Sequence, residues 1–207
     1  MHDAHPTAAH PEEAPSAQTG AARLIADTCA LIPDYPKPGV LFRDLTPVFA
    51  DGRAFRTVVD ALVECFAGTF DAVAGVEARG FLLASAAAYA AGVGVVPVRK
   101  QGKLPRQTYA EDYDLEYGSA TLEIHRDDLP AGARVLILDD ILATGGTLAA
   151  AVRLVRRAGY RVAGVGVAME LEGLGGREAL TGESALARTE AAPEALPADA
   201  VRALYTV

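Results

Sequence analysis

Between Val135 and Thr147 the chain reads Val-Leu-Ile-Leu-Asp-Asp-Ile-Leu-Ala-Thr-Gly-Gly-Thr, and this run limits the available folds more than any other. Val135 to Leu138 is apolar at every position, so it has no face for solvent. A strand of that kind belongs inside a parallel sheet covered by helices on both sides, and parallel neighbours require crossover connections. The rest of the chain supplies both. Ala72 to Val76, Val93 to Val98 and Val162 to Met169 read as further apolar strands, with helices over Phe81 to Ala91 and Thr147 to Ala158, the second stopped at Gly159. The expected class is α/β, with a central, mostly parallel sheet flanked by helices.

Other rules govern the flanks. Residues 1–20 are rich in Pro, Ala, His and Glu without an apolar period and read as a disordered tail, its histidines solvated. The main domain spans residues 21–180. Ala21 to Leu31 reads as a short helix through Leu24, Ile25, Thr28 and Leu31. Ile32 to Gly39 contains three prolines, which remove donors and fix the backbone, so an extended, rigid loop is expected within a small hood over residues 32–48. Asp51 is placed to cap a helix from Gly52 to Ala67 that buries Phe55, Val58, Val59, Leu62, Val63 and Phe66. Thr108 to Tyr117 and Ser119 to His125 read as a polar, aromatic hairpin or flap. Residues 181–207 read as a loose segment in which Val201 to Val207 can return as an edge strand.

Composition narrows the partners. Of 207 residues 51% are hydrophobic, enough for a sizeable single core, and the net charge of −8 repels nucleic acid and anionic lipid. A local basic pocket can still hold a small phosphorylated substrate, because distant charge is screened. The longest apolar candidate for a membrane span, Ala84 to Val98, is interrupted by Gly92 and Pro97. There is no basic segment leading into an apolar one at the N-terminus, and Cys29 and Cys65 fall in helical patterns that suit two buried thiols. A cytoplasmic protein without nucleic-acid or membrane partners is expected.

The segment after Leu138 carries the chemistry. Asp139 and Asp140 end the strand, and Ala143, Thr144, Gly145, Gly146 and Thr147 lead into a helix. Glycines let backbone N–H groups approach an anion, the helix start adds the positive end of its dipole, and both threonines can donate. A phosphate fits the loop. The carboxylates repel phosphate but suit hydroxyl groups that donate to them. A Walker loop would need Lys after its last glycine, where Thr147 stands, and Gly164-Val165-Gly166 lacks the third glycine of a dinucleotide fingerprint.

This arrangement resembles the phosphoribosyl pyrophosphate (PRPP) motif of type I phosphoribosyltransferases. The resemblance implies that Asp139 and Asp140 bind the ribose hydroxyls and that Ala143 to Thr147 bind the 5′-phosphate. Four more segments narrow it to the adenine branch: Tyr35 to Asp44, Glu77-Ala78-Arg79-Gly80-Phe81, Arg99 to Pro105 and Tyr113-Asp114-Leu115-Glu116-Tyr117-Gly118. Glu170 to Arg177 matches the segment that closes the base pocket. The fold implied is that of the family, with a small hood and a flexible catalytic flap. The same resemblance puts adenine against Phe42 with Leu174 on its far side, its edge read by backbone near Leu41 and Arg43. It puts pyrophosphate against Ala78, Arg79, Arg99 and Lys103, one of these lent across a homodimer, and implies a non-proline cis peptide near Ala78.

The expected reaction joins adenine to the phosphoribosyl group of PRPP, with Mg²⁺ bound through PRPP rather than by a protein cage. Glu116 is the expected general acid/base, Tyr117 shapes the flap, and Arg79 faces the leaving group. Locally, Arg79 also suits an ion pair with Glu77, Phe42 a core position and Glu116 a solvated charge. Hypoxanthine, guanine or xanthine as the base, and a non-catalytic PRPP-sensing regulator, are the alternatives.

Overall fold

In the computed structural model, which describes residues 17–114, 119–182 and 195–207, the apolar runs become strands and the runs between them helices. Helix α1 (Ala17–Thr28) leads into a hairpin of β1 (Ala30–Pro33) and β2 (Leu41–Asp44). Then come α2 (Thr46–Ala50), α3 (Gly52–Cys65), β3 (Ala72–Val76), α4 (Gly80–Ala91) and β4 (Gly94–Lys100). A second hairpin, β5 (Thr108–Asp114) and β6 (Ser119–His125), precedes β7 (Arg134–Leu142), α5 (Gly146–Arg157) and β8 (Arg161–Glu170). Helix α6 (Gly176–Thr181), a 3-10 turn at Ala198–Ala200 and β9 (Val201–Thr206) follow.

Seven strands form one sheet in the order β5-β6-β4-β3-β7-β8-β9. From β4 to β9 the pairing is parallel, and β6 and β5 add an antiparallel margin. Strand β7 shows why its sequence demanded a covered sheet. Val135 and Ile137 join the core of Leu148, Val152 and Val155 from α5, while Leu136 and Leu138 join Val58, Leu62, Leu83 and Ala87 from α3 and α4. All four strand residues are fully buried, each contributing about 1.5–3 kcal/mol of transfer free energy. The Asp51 carboxylate accepts the N–H groups of Arg53 and Ala54, both at 2.8 Å, and so caps α3. No helix among the described residues is long and apolar enough to cross a membrane.

The structure departs from the sequence expectations in the N-terminal segment. Helix α1 begins at Ala17, inside the stretch read as tail, and stops at Thr28 because the next residues pair in a hairpin, with Leu31 opposite Arg43. Its buried face is Ala21 and Ile25, which pack on α3, whereas Leu31 is exposed. The expected proline loop gives Ile32 and Pro33 to β1, where they pair with Phe42 and Leu41, and only the residues after them form the turn, closed by the Asp34 carboxylate accepting the Gly39 N–H at 2.7 Å. Cys29 lies just past α1 and Cys65 ends α3. Both thiols are free and only half-buried, not core residues. Strand β7 runs four residues past Leu138, because β8 continues to pair beside it as far as Glu170.

Candidate active site

The chain crosses over in opposite directions from two adjacent strands. From β3 it passes through α4 to β4 on one side, and from β7 through α5 to β8 on the other. Ligand sites in open α/β sheets form at such a switch point, beyond the carboxyl ends of the strands. A cleft of about 590 Å³ lies there, within the range usual for small-molecule pockets.

One wall is the end of β7. Asp140 is buried, and Asp139 beside it is half-buried with its carboxylate accepting the Asp140 N–H at 2.9 Å. Burial, followed by the adjacent charge of Asp140, pushes the Asp139 carboxyl well above the usual carboxylate range. The opposite wall is the turn from β3 into α4. The Glu77–Ala78 peptide there is cis. Gly80 brings the start of α4 onto the end of β7 so closely that a Cβ would stand 2.6 Å from the Leu138 carbonyl oxygen. That approach sets the Arg79 guanidinium on Asp140 in a direct ion pair. Burial alone would lower the Arg79 pKa, but the Asp140 hydrogen bond and the charges of Asp140, Asp139 and Asp44 raise it. Arg79 therefore pairs across the cleft with Asp140, not with Glu77.

The floor is the loop from β7 into α5. Gly145 holds the left-handed conformation, φ 81°, just before the first turn of α5, so the helix starts abruptly and its first N–H groups point out of the loop. The loop is braced from behind by the start of α6. A Cβ at Gly176 would sit 2.2 Å from the Ala143 carbonyl oxygen and 2.8 Å from Leu142 Cδ1. Only glycine permits that backbone-to-backbone contact.

The third side comes from β2 and the turn before it. Leu41, Phe42 and Arg43 reach the cleft, with Phe42 held edge-on to Tyr35 at 5.1 Å between ring centroids. Leu171 lines the cleft too, drawn in by its N–H donating to the Leu142 carbonyl at 2.9 Å.

Of the residues singled out in the sequence, Leu41, Phe42, Arg43, Ala78, Arg79, Asp139, Asp140, Ala143 and Thr147 line this one cleft. Thr144, Gly145 and Gly146 form the loop at its edge. Leu174 is half exposed, and the apolar position on that side of the cleft is filled by Leu171, three residues earlier. Arg99 and Lys103 do not line the cleft of their own chain. Arg99 is engaged by Glu77 at 3.3 Å and by the Lys103 carbonyl at 3.1 Å, and lies 5.9 Å from the Phe81 ring centre. The cation of that run that does line the cleft is Lys100. Glu77 and Tyr113, read in the sequence only as members of their segments and given no binding role, also line it. Lys100 belongs to the same basic run in the sequence, and its place as the last residue of β4 is what sets it, and not Arg99 or Lys103, at the switch point, but Tyr113 carried no signal apart from its place in the flap. Glu116 and Tyr117 lie outside the described residues.

Comparison with known proteins agrees with this geometry. Residues 51–179 match the family model for the phosphoribosyl transferase domain. The chain is similar to the adenine phosphoribosyltransferase of Renibacterium salmoninarum, with 73% identity over 154 residues that cover 74% of this chain and 85% of that one. It is 71% identical to the adenine phosphoribosyltransferase of an Arthrobacter species over 160 residues, 77% of this chain and 86% of the other. The crystal structure of adenine phosphoribosyltransferase from Thermoanaerobacter pseudethanolicus matches with a TM-score of 0.78 at 41% identity, covering 90% of this chain and 99% of that one.

Proposed function

Because this chain belongs to the adenine phosphoribosyltransferases, within the phosphoribosyl transferase domain family, we propose that the cleft at the β3/β7 switch point performs their reaction with the residues described above. The reaction transfers the 5-phosphoribosyl group of PRPP to adenine and gives AMP and pyrophosphate. One observation carries the assignment of residues: an acidic pair, a glycine-entered helix start, a guanidinium and a half-buried aromatic ring converge on one cleft.

In this reading the loop from Ala143 to Thr147 holds the 5′-phosphate at the start of α5, and Asp139 and Asp140 accept hydrogen bonds from the ribose hydroxyls. As the bond from C1 to pyrophosphate breaks, positive charge grows on the ribose ring, and the two carboxylates lie close enough to the sugar to favour it. Negative charge collects on the leaving group, where Arg79 and Lys100 meet it. Adenine lies between Phe42 and Leu171, its edge read by backbone near Leu41 and Arg43, and its nitrogen attacks from the face opposite pyrophosphate. Glu116 takes the proton, with Tyr117 beside it.

Magnesium is the metal this chemistry calls for. Asp139 and Asp140 bring hard oxygen donors to the sugar, which suits a Mg²⁺ held mainly by substrate oxygens and water. When bound, Mg²⁺ would offset pyrophosphate charge and fix that group relative to the ribose diol. In a homodimer Arg99 and Lys103, which do not line their own cleft, can serve the partner's pyrophosphate. The two free thiols suit a cytoplasmic site of action.

The test is pyrophosphate release with PRPP, Mg²⁺ and one base at a time. Adenine should exceed hypoxanthine and guanine by about a hundredfold or more in kcat/KM, since a site built to pair with one set of base-edge groups leaves polar groups unpaired with another. Release that is equal for all three bases, or absent with adenine, refutes the reading.

A further inference from the structure

Strand β6 carries two buried polar side chains that the reaction does not use. Leu122 and Ile124 point into the α5 core, so Glu123 and His125 occupy the other face, where they are 8% and 7% exposed. A carboxylate that is nearly buried needs donors close by. Glu123 finds one in the backbone turn that follows Lys100, where the Gly102 N–H donates to its Oε2 at 3.0 Å. Gly102 sits at φ 79°, the conformation that lets the chain reverse at that point.

Three successive amides around the cleft lysine are thereby fixed. The Lys100 N–H donates to Glu77 Oε2 at 3.0 Å, the Gln101 N–H to the Thr121 carbonyl at 3.0 Å, and the Gly102 N–H to Glu123. The far end of the same segment is anchored on the same strand face. Arg106 reaches His125 Nδ1 at 3.0 Å and pairs with Asp128 and, at 3.3 Å, with Asp127. In the sheet, Glu123 stands opposite Arg99 on β4 and opposite Ala110 on β5, the strand leading to Glu116.

We propose that Glu123 is a positioning residue: its carboxylate fixes the Gln101–Gly102 turn, and through it the direction in which Lys100 presents its ammonium to the pyrophosphate end of the substrate. This rests on the functional reading above and adds to it a residue remote from the reacting atoms. Loss of the carboxylate frees the turn, so Lys100 spends less time aimed at the pyrophosphate. Adenine, held by β2 and Leu171 on the other side of the cleft, does not depend on it.

The experiment compares Glu123→Ala, Glu123→Gln and Gly102→Ala with the wild-type chain, using steady-state pyrophosphate release and product inhibition by inorganic pyrophosphate. Glu123→Ala should raise both KM for PRPP and Ki for pyrophosphate about tenfold, the scale of one lost charge-assisted hydrogen bond. KM for adenine should stay within about twofold, and Glu123→Gln, whose amide oxygen still accepts the Gly102 N–H, should stay within about threefold for PRPP. Gly102→Ala disturbs the same turn without touching β6, and should reproduce the selective PRPP defect without adding fully to Glu123→Ala in the double variant. If Glu123→Ala does not fold, Gly102→Ala decides. KM values for adenine and PRPP that rise together, a Gln variant as impaired as the Ala variant, or unchanged PRPP constants in a folded Gly102→Ala each overturn the proposal. A wild-type chain that makes no AMP overturns the functional reading itself, whereas an active wild type with unaffected variants overturns only the role of Glu123.

Discussion

Replacing Gly176 with alanine puts the brace behind the Ala143–Thr147 loop, the proposed phosphate site, to a quantitative test. The new Cβ would stand 2.2 Å from the Ala143 carbonyl oxygen, where ordinary contact begins at 3.4 Å. The shortfall is about 1.2 Å, and the nearest atom is backbone, not the tip of a side chain, so a rotamer change cannot absorb it. Leu142 Cδ1 at 2.8 Å blocks the obvious retreat. The loop from Ala143 to Gly145 must therefore move by about 1 Å, which for groups aimed at a substrate costs about a hundredfold in rate, or roughly 2.7 kcal/mol of transition-state stabilisation. The assay is steady-state pyrophosphate release with PRPP varied at saturating adenine, then the reverse. Loss should appear in kcat/KM for PRPP, with KM for adenine little changed. Overpacking of this kind also costs about 1–3 kcal/mol of stability, so the melting temperature should fall by several degrees. Gly173→Ala is the control: it lies in the same connection at φ 78° with nothing within 4 Å, so it incurs backbone strain without a collision. A Gly176→Ala enzyme with PRPP constants within about twofold of wild type would refute the bracing argument, since that is far below the hundredfold expected for such a displacement.

Four further outcomes follow from the same geometry. The Asp139 carboxyl is raised by burial and by Asp140, so the folded chain binds a proton there that the unfolded chain has already lost. Stability from this site is present below the ordinary Asp pKa and falls as pH rises toward the raised one, a slope that Asp139→Asn should remove in denaturant titrations at stepped pH. Ribose hydroxyls favour the ionised carboxyl, so PRPP affinity should climb with pH over that same window and then level off, and a flat profile identical to that of Asp139→Asn would contradict it. Asp139→Asn with Asp140→Asn should weaken PRPP binding by about a hundredfold in calorimetry, two charge-assisted contacts being lost, and intact affinity would end the ribose assignment. Phe42→Ala should raise KM for adenine about tenfold and leave KM for PRPP alone, which a two-substrate kinetic matrix reads directly.

How much of this was legible without coordinates depended on whether the signal was local. The four apolar residues from Val135 to Leu138 announced a strand with two covered faces, and the cores on either side of β7 are the consequence. Asp51 before a helical period announced its cap. The acidic pair was read as the end of the strand because charge usually marks one, but β8 keeps pairing through Ile141 and Leu142, and a partner strand is not visible in local polarity. The β1/β2 hairpin stayed hidden because Pro33 at the end of one arm and Pro36 and Pro38 in the turn outweighed two short pairing segments. Within the cleft, residues in one contiguous motif came together as expected, while Lys100, Leu171 and the Arg79–Asp140 pair depend on contacts between distant parts of the chain. The last joins residues 61 positions apart.

The Arg79–Asp140 pair has a consequence for inhibitor design. In the proposed reading, a fragment carrying only a diphosphate mimic must draw Arg79 away and leave a buried carboxylate without its counter-ion, and a fragment carrying only a sugar-like diol competes with the guanidinium for that carboxylate without offering it another anion. Each piece alone is thus handicapped by the half it lacks. A single molecule that offers hydroxyls to Asp140 and an anion to Arg79 replaces both partners at once, so joining the two fragments should yield an affinity greater than the product of their separate association constants.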